Sequence, residues 1–167
     1  VEHVGAVGRR DDDDAFIGFE AIHLDQQLVR LSDAYPGIDG VIHCAGQNRF
    51  ASLENMAVSE LDAQIAVNLR SAMIVARHFT PRFEKAGQGA LVFVGSTFGS
   101  IGFPGYTAYC ASKFAVEGLT QSLAQELPAG LAAIAVNPGI IDTEMLRSCW
   151  GEEAASFPSP DEWGDRA

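Results

Sequence analysis

The sequence predicts an α/β fold assembled from parallel crossover units, in which strand, helix and parallel strand follow one another. The first sign is the alternation of short β-branched runs with longer stretches of helical spacing. A second is that successive apolar runs stop on small or polar residues, as at Cys44-Ala45-Gly46 and Asn137-Pro138-Gly139. Size is the third: 167 residues, 47% apolar and 20% charged, suit one globular domain with one core.

Taken in order, residues 4–7 read as a short strand running into Arg9 and Arg10, and Asp11 to Asp14 form a solvated loop because four adjacent carboxylates repel. Residues 19–24 read as a second strand ending at Asp25. A helix over 26–34 follows, broken by Tyr35, Pro36 and Gly37. Residues 38–43 form a third strand. Ser59 with Asp62 resembles a capping box, and Leu61, Ile65, Leu69, Ala72, Ala76 and Phe79 keep helical spacing until Pro81. Residues 90–94 have the length and composition of a buried strand. They lead into a loop with Gly95, Gly99, Gly102 and Gly105, then a helix over 109–127 stopped by Pro128. Residues 131–136 are the last clear strand. Residues 144–167 carry Trp150, Gly151 and an acidic, Pro-containing tail, expected to form a flap rather than a second domain.

Charge and composition narrow the function. With 11 Lys+Arg against 22 Asp+Glu the net charge is -11, which argues against nucleic-acid backbones and anionic membranes as partners. No apolar stretch approaches the roughly 20 residues of a membrane span, and Val1 opens no signal region. Three cysteines at wide spacing, Cys44, Cys110 and Cys149, imply reduced thiols and a cytoplasmic location. The four histidines have no metal-ligand spacing and read as ordinary core or surface residues, so no metal is expected.

In open parallel sheets ligands bind beyond the carboxyl ends of the strands, which directs attention to Arg9, Arg10, Asp25, Cys44 to Gly46, Ser96 and Asn137 to Gly139. Tyr109 and Lys113 lie one turn apart at the start of a helix, on one face. A neighbouring ammonium and a helix N-terminus both favour the phenolate, at about 1.4 kcal/mol per pKa unit. A phenol so tuned is suited to protonate an alkoxide forming from a carbonyl, while a hydroxyl such as Ser96 holds the oxygen. That is carbonyl/alcohol redox chemistry.

The stretch GSTFGSIGFPGYTAYCASK, with VNLRSA before it and NPGIIDT after it, resembles the short-chain dehydrogenase/reductase family. The resemblance implies a Rossmann-like, doubly wound parallel sheet, here truncated at both ends, as a single partial domain over 1–167. It makes Tyr109 the general acid/base, Lys113 the group that lowers its pKa and holds the nicotinamide ribose, Ser96 the substrate-orienting hydroxyl, and Asn68 the anchor of a proton-relaying water. On the cofactor side it places Asp25 at the adenine ring, and Pro138, Gly139, Ile141 and Thr143 at the nicotinamide end. Cys44, Ala45 and Gly46 stand where the family has Asn-Ala-Gly, so a thiol replaces an amide that braces the central strands. Arg9 occupies the position of a basic residue for a 2′-phosphate, which favours NADP over NAD, although the acidic run beside it opposes a phosphate.

The family's glycine-rich strand-turn-helix for the pyrophosphate has no counterpart in the sequence, nor has its final strand. The simplest expectation is a segment of a longer polypeptide. The alternative is a rearranged core in which neighbouring strands close the gap. The expected activity is hydride transfer between NAD(P) and a carbonyl or secondary alcohol in a homo-oligomer. The competing reading is a non-catalytic fragment or pseudoenzyme acting as an interaction module. Residues 144–160 would set the substrate, with Met145, Leu146, Trp150 and Phe157 offering an apolar surface.

Overall fold

A computed structural model describes residues 17–165, with side chains from Leu24 onward. The expected strand at 4–7, Arg9, Arg10 and the acidic run lie outside the described residues. Helix α1 (Ile17–Ala34) leads to strand β1 (Gly40–His43), helix α2 (Val58–Ile65), a π-turn (Ala66–Arg70) and helix α3 (Ser71–Ala86). Strand β2 (Gly89–Val94), helix α4 (Thr107–Glu126) and strand β3 (Leu131–Val136) follow, then two short helices, α5 (Glu144–Trp150) and α6 (Pro160–Gly164). The three strands form one parallel sheet in the order β1-β2-β3, with Ile42 beside Val92 and Val92 beside Ile134.

Right-handed crossovers that step the sheet in one direction lay their helices on one face. The main core accordingly lies between the sheet and helices α1, α3 and α4, built on Leu28, Val75, Phe79, Phe83, Leu91, Phe93 and Val116. Strand alternation turns Leu91 and Phe93 toward those helices. The opposite face is open: Ile42 is 67%, Ile134 46% and Val136 40% exposed.

The structure corrects four expectations. Residues 19–24 are not a strand but part of α1. No Gly or Pro separates them from the helical residues behind them, and a helix satisfies its own backbone groups without a partner strand. The cap of α2 is not Ser59 with Asp62: it lies two residues earlier, at Ala57, with the Glu60 carboxylate accepting from the Ala57 N–H at 3.1 Å. Helix α3 does not stop at Pro81 but runs through it to Ala86, where Gly87 at φ 74° ends it. Proline costs the bond to the carbonyl four residues back, yet Phe79 and Phe83 stack 5.8 Å apart on its two sides, both buried, and their burial holds the helix together. Arg82 also donates from its guanidinium to the His78 carbonyl at 2.8 Å. Finally, α4 begins at Thr107 and ends at Glu126; Leu127 after it is extended (ψ 137°) because Pro128 behind it disfavours the helical conformation.

Residues 144–156 and 160–164 are helical and fold back on the strand ends. Trp163 Nε1 donates to the Pro138 carbonyl at 2.9 Å, Trp150 Nε1 to the Tyr106 hydroxyl at 2.8 Å, and Ala154 is fully buried.

Strand β1 ends on His43, whose ring centroid lies 6.2 Å from that of Phe93 and whose Nε2 is 2.8 Å from Ser71 Oγ. Burial, and after it the Lys113 ammonium, push its pKa from 6.5 down to about 4. The unfolded chain therefore binds more protons than the native one between pH 6.5 and about 4. The stability is full above that window and lost as pH falls through it. A shift of this size corresponds to roughly 3 kcal/mol. In urea unfolding, the loss of stability between pH 7 and pH 4 is expected to shrink by about that amount in His43→Gln; an unchanged loss would mean the imidazole titrates normally. Phe83→Ala is expected to cost about 3–5 kcal/mol in the same assay, because it empties the space that keeps α3 helical beyond Pro81.

Candidate active site

Four segments converge at the carboxyl ends of β1 and β2. These are the tripeptide Cys44-Ala45-Gly46, the π-turn, the loop after β2 and the first turns of α4. Ser96 leaves β2 in extended conformation and caps the following turn, its Oγ accepting from Phe98 N at 3.2 Å. Tyr109 is in the first turn of α4, its ring edge-on to Phe98 at 6.2 Å, and the Ser96 side chain is near enough to lower its pKa. One turn on, Lys113 is only 4% exposed; its Nζ lies 5.6 Å from the Tyr109 ring centroid and donates to the Val94 carbonyl at 2.9 Å.

Asn68 sits in the π-turn, 1% exposed. Its Oδ1 accepts from Gln47 N at 2.8 Å, and its Nδ2 donates to Gln47 O and to Ser112 Oγ, both at 2.9 Å. Ser112 in turn donates to the Tyr109 carbonyl at 2.7 Å. The amide thus ties the chain just after β1 to the start of α4. Gly46 closes the group: a Cβ there would stand 3.6 Å from Lys113 Nζ and 3.8 Å from Asn68 Oδ1.

The turn after β3 joins this cluster through Asn137, whose Nδ2 donates to Thr97 Oγ1 at 3.0 Å. Its Oδ1 accepts from Gly139 N at 3.1 Å; Gly139 holds φ +79° with open space around it. Pro138 receives Trp163, and the Thr143 hydroxyl caps α5 by accepting from Leu146 N at 3.2 Å. Ile141 lies half-buried between these two contacts in sequence.

The structure therefore gathers Asn68, Ser96, Tyr109, Lys113, Ala45 and Gly46, with Pro138 to Thr143 adjoining. Cys44 is exposed beside them, its Sγ 4.0 Å from the Ile42 carbonyl, a loose contact compared with what an amide makes. Asp25 is not at a strand end. It lies within α1 and pairs with Arg77 of α3 at 2.9 Å on the surface.

Electrostatics depart from the sequence expectation. Burial raises the Tyr109 pKa above its ordinary 10, opposed by the hydrogen bond with Ser96 and reinforced by Cys110, Cys149 and Tyr106. Burial likewise lowers the pKa of Lys113, opposed by Cys44. Both groups are pushed toward their neutral forms.

Several supporting residues carried no sequence signal. Ser112 is fully buried, and Gln64, 1% exposed, accepts from Arg49 N at 3.0 Å and so fixes the loop after β1. Each is a polar residue at an apolar helical position, which periodicity alone discards. Tyr106, packed at tilted and edge-on angles among Phe50, Phe98 and Phe103, was visible only as one more aromatic.

Among the described residues no group of three His, Cys, Asp or Glu is gathered to hold a metal, and no helix is long and apolar enough to cross a membrane. Residues 21–154 match the short chain dehydrogenase family. The chain is 35% identical to the NADPH-dependent pterin aldehyde reductase of Arabidopsis thaliana over 130 residues, 77% of this chain and 54% of that protein. It is 39% identical to a 3-oxoacyl-[acyl-carrier-protein] reductase of Thermotoga maritima over 119 residues, 71% of this chain and 48% of that one. A short chain dehydrogenase of Shigella flexneri, solved in complex with NADP, superposes with a TM-score of 0.76 at 30% identity, covering 84% of this chain and 59% of that one. The chain thus spans about half the length of the curated relatives it matches. A parallel three-stranded sheet of this topology, with such a match over most of its length, makes the chain a member of the short-chain dehydrogenase/reductase family.

Proposed function

We propose that this chain carries the acid/base and nicotinamide-binding part of an NADP-dependent oxidoreductase that interconverts a carbonyl and a secondary alcohol. The convergence of Tyr109, Ser96 and Lys113 at the strand ends carries the reading. Ser96 holds the carbonyl oxygen, and Tyr109 donates its phenolic proton to that oxygen as it gains charge. A phenol that burial keeps protonated is suited to this donation. Lys113 spends one of its three protons on Val94, which leaves two for the hydroxyls of a ribose.

These residues fit the nicotinamide-ribose end of the cofactor. Lys113 and the backbone at Ala45 and Gly46 would hold the ribose, with Pro138, Gly139, Ile141 and Thr143 along the nicotinamide, and Gly139 leaves space beside it. When bound, the reduced cofactor supplies the hydride that adds to the carbonyl carbon. NADP is favoured over NAD because relatives are NADPH-dependent or solved with NADP. Residues 144–160 are assigned to the substrate flap: Trp150 within it and Trp163 just after it fasten this segment to Tyr106 and Pro138, next to the proposed reacting groups. A cytoplasmic homo-oligomer completes the proposal, with α2–α3 and α4 toward the partner subunit.

A second reading, an interaction module without catalysis, is favoured by the open sheet face around Ile42, Ile134 and Val136. Titrating the chain with NADPH and following energy transfer from Trp150 and Trp163 separates the two. Under the first reading the cofactor binds, and Tyr109→Phe lowers carbonyl reduction by about 10²-fold or more while its affinity stays within about twofold. No binding at millimolar cofactor would favour the module. Because the Tyr109 pKa is raised, reduction is expected to be flat with pH through neutrality and alcohol oxidation to rise as pH rises; a reduction rate that falls between about pH 7 and 9 would remove the phenol as the acid.

A further inference from the structure

His43 takes no part in the chemistry proposed above, yet it stands where strand β1 meets the turn that carries Asn68. We infer that His43 and Ser71 are positioning residues, which hold the π-turn against β1 and thereby fix Asn68 and, through it, the start of α4 with Lys113. The inference rests on the roles proposed for Asn68 and Lys113.

In an α-helix the N–H of Ser71 would serve the Val67 carbonyl. Here it donates to Ala66 O instead, one residue further back, and this bond defines the π-turn. The Val67 carbonyl is taken by the side chain of the same residue: Ser71 Oγ donates to it at 2.5 Å. A serine hydroxyl has one proton, and Val67 O can only accept, so that proton is committed. Ser71 Oγ must then accept from His43 Nε2 across their 2.8 Å contact. The imidazole is consequently the Nε2–H tautomer, and the chain of bonds runs His43 to Ser71 to Val67.

Asn68 follows Val67 directly and grips Gln47, just past Gly46. The turn is therefore fastened to the strand-end segment at two points, before the tripeptide through His43 and after it through Gln47. One attachment would leave the turn free to rotate about the contact. Two fix its azimuth, and with it the second proton of Asn68 Nδ2, which reaches Ser112 beside the Tyr109 carbonyl. Burial against Phe93 and the neighbouring Lys113 ammonium keep the imidazole neutral, so no second cation is set beside the lysine.

The wild-type chain, labelled with ¹⁵N, gives the first test through long-range ¹H–¹⁵N correlations of the imidazole at neutral pH. The expected pattern is a protonated Nε2 and a bare Nδ1; the opposite tautomer would overturn the proposal, since Ser71 cannot then serve Val67. In Ser71→Ala the side-chain amide protons of Asn68 should exchange about tenfold faster while the backbone amides of Val92 and Ile134 change less than about twofold, and Ser71→Thr should restore protection. Unchanged Asn68 exchange, or an equal loss across the sheet, would sink it. Should Ser71→Ala not fold, the tautomer in the wild-type chain still decides. None of these readouts involves cofactor or turnover, so they can fail while the oxidoreductase reading stands, and the reverse.

Discussion

A buried ammonium is the constraint on which the rest of this site depends. Removing Lys113 from water costs several kcal/mol unless its protons find acceptors, and its hydrogen bond goes to a backbone carbonyl, Val94, rather than to a carboxylate. A carbonyl recovers only part of that cost, which is why burial lowers the lysine's pKa. The arrangement is tolerable because Val94 is the last residue of the central strand, which is paired with β1 up to Phe93 and with β3 at Val94 itself, opposite Val136. Position of the charge and position of the sheet are therefore one fact. The chain passes close to this charge at position 46, where a Cβ would stand in ordinary contact with Nζ at 3.6 Å.

From this constraint the proton inventory follows. A low-dielectric environment disfavours phenolate and ammonium alike, and both Tyr109 and Lys113 are shifted toward neutrality. In the absence of other charge the phenol is a proton store rather than a base. The Ser96 hydrogen bond is the one effect that acts in the opposite sense on Tyr109, so the hydroxyl proposed to orient the substrate also makes the phenolic proton easier to release.

How much of this was legible in the sequence differs by element. Strands at 90–94 and 131–136 were legible because each is a short apolar run closed by turn residues, and the structure extends the first only by Gly89. Tyr109, Lys113 and Ser96 could be placed together because they flank one strand-to-helix connection, so chain continuity does the work of geometry. Residues 19–24 could not be read, since a short apolar stretch without a breaker behind it suits strand and helix equally, and tertiary packing decides. The π-turn was hidden for a different reason. An added residue per turn leaves the apolar spacing of Leu61 to Phe79 almost unchanged, while it redirects Asn68 and exchanges the partner of one N–H. Nor could the pKa of Tyr109 be inferred from spacing. Proximity along a helix fixes which groups are neighbours, but the balance between charge and burial depends on Phe98, Tyr106 and Cys149, which reach the phenol from elsewhere in the chain.

The distribution of contacts also separates what governs chemistry from what governs cofactor affinity. The reacting end is held by α3, α4 and β2, whose shared core of Phe79, Phe83, Phe93 and Val116 needs nothing from the open face of the sheet. The pyrophosphate of a dinucleotide instead draws its affinity from backbone N–H groups at a glycine-rich helix start, and none of the described segments has that form. Energy of binding at such a remote group normally offsets the cost of orienting the reacting one. The site proposed at Tyr109 thus takes its contacts among the described residues from the nicotinamide-ribose end, and its geometry rests on the same core that holds α3 and α4 against the sheet.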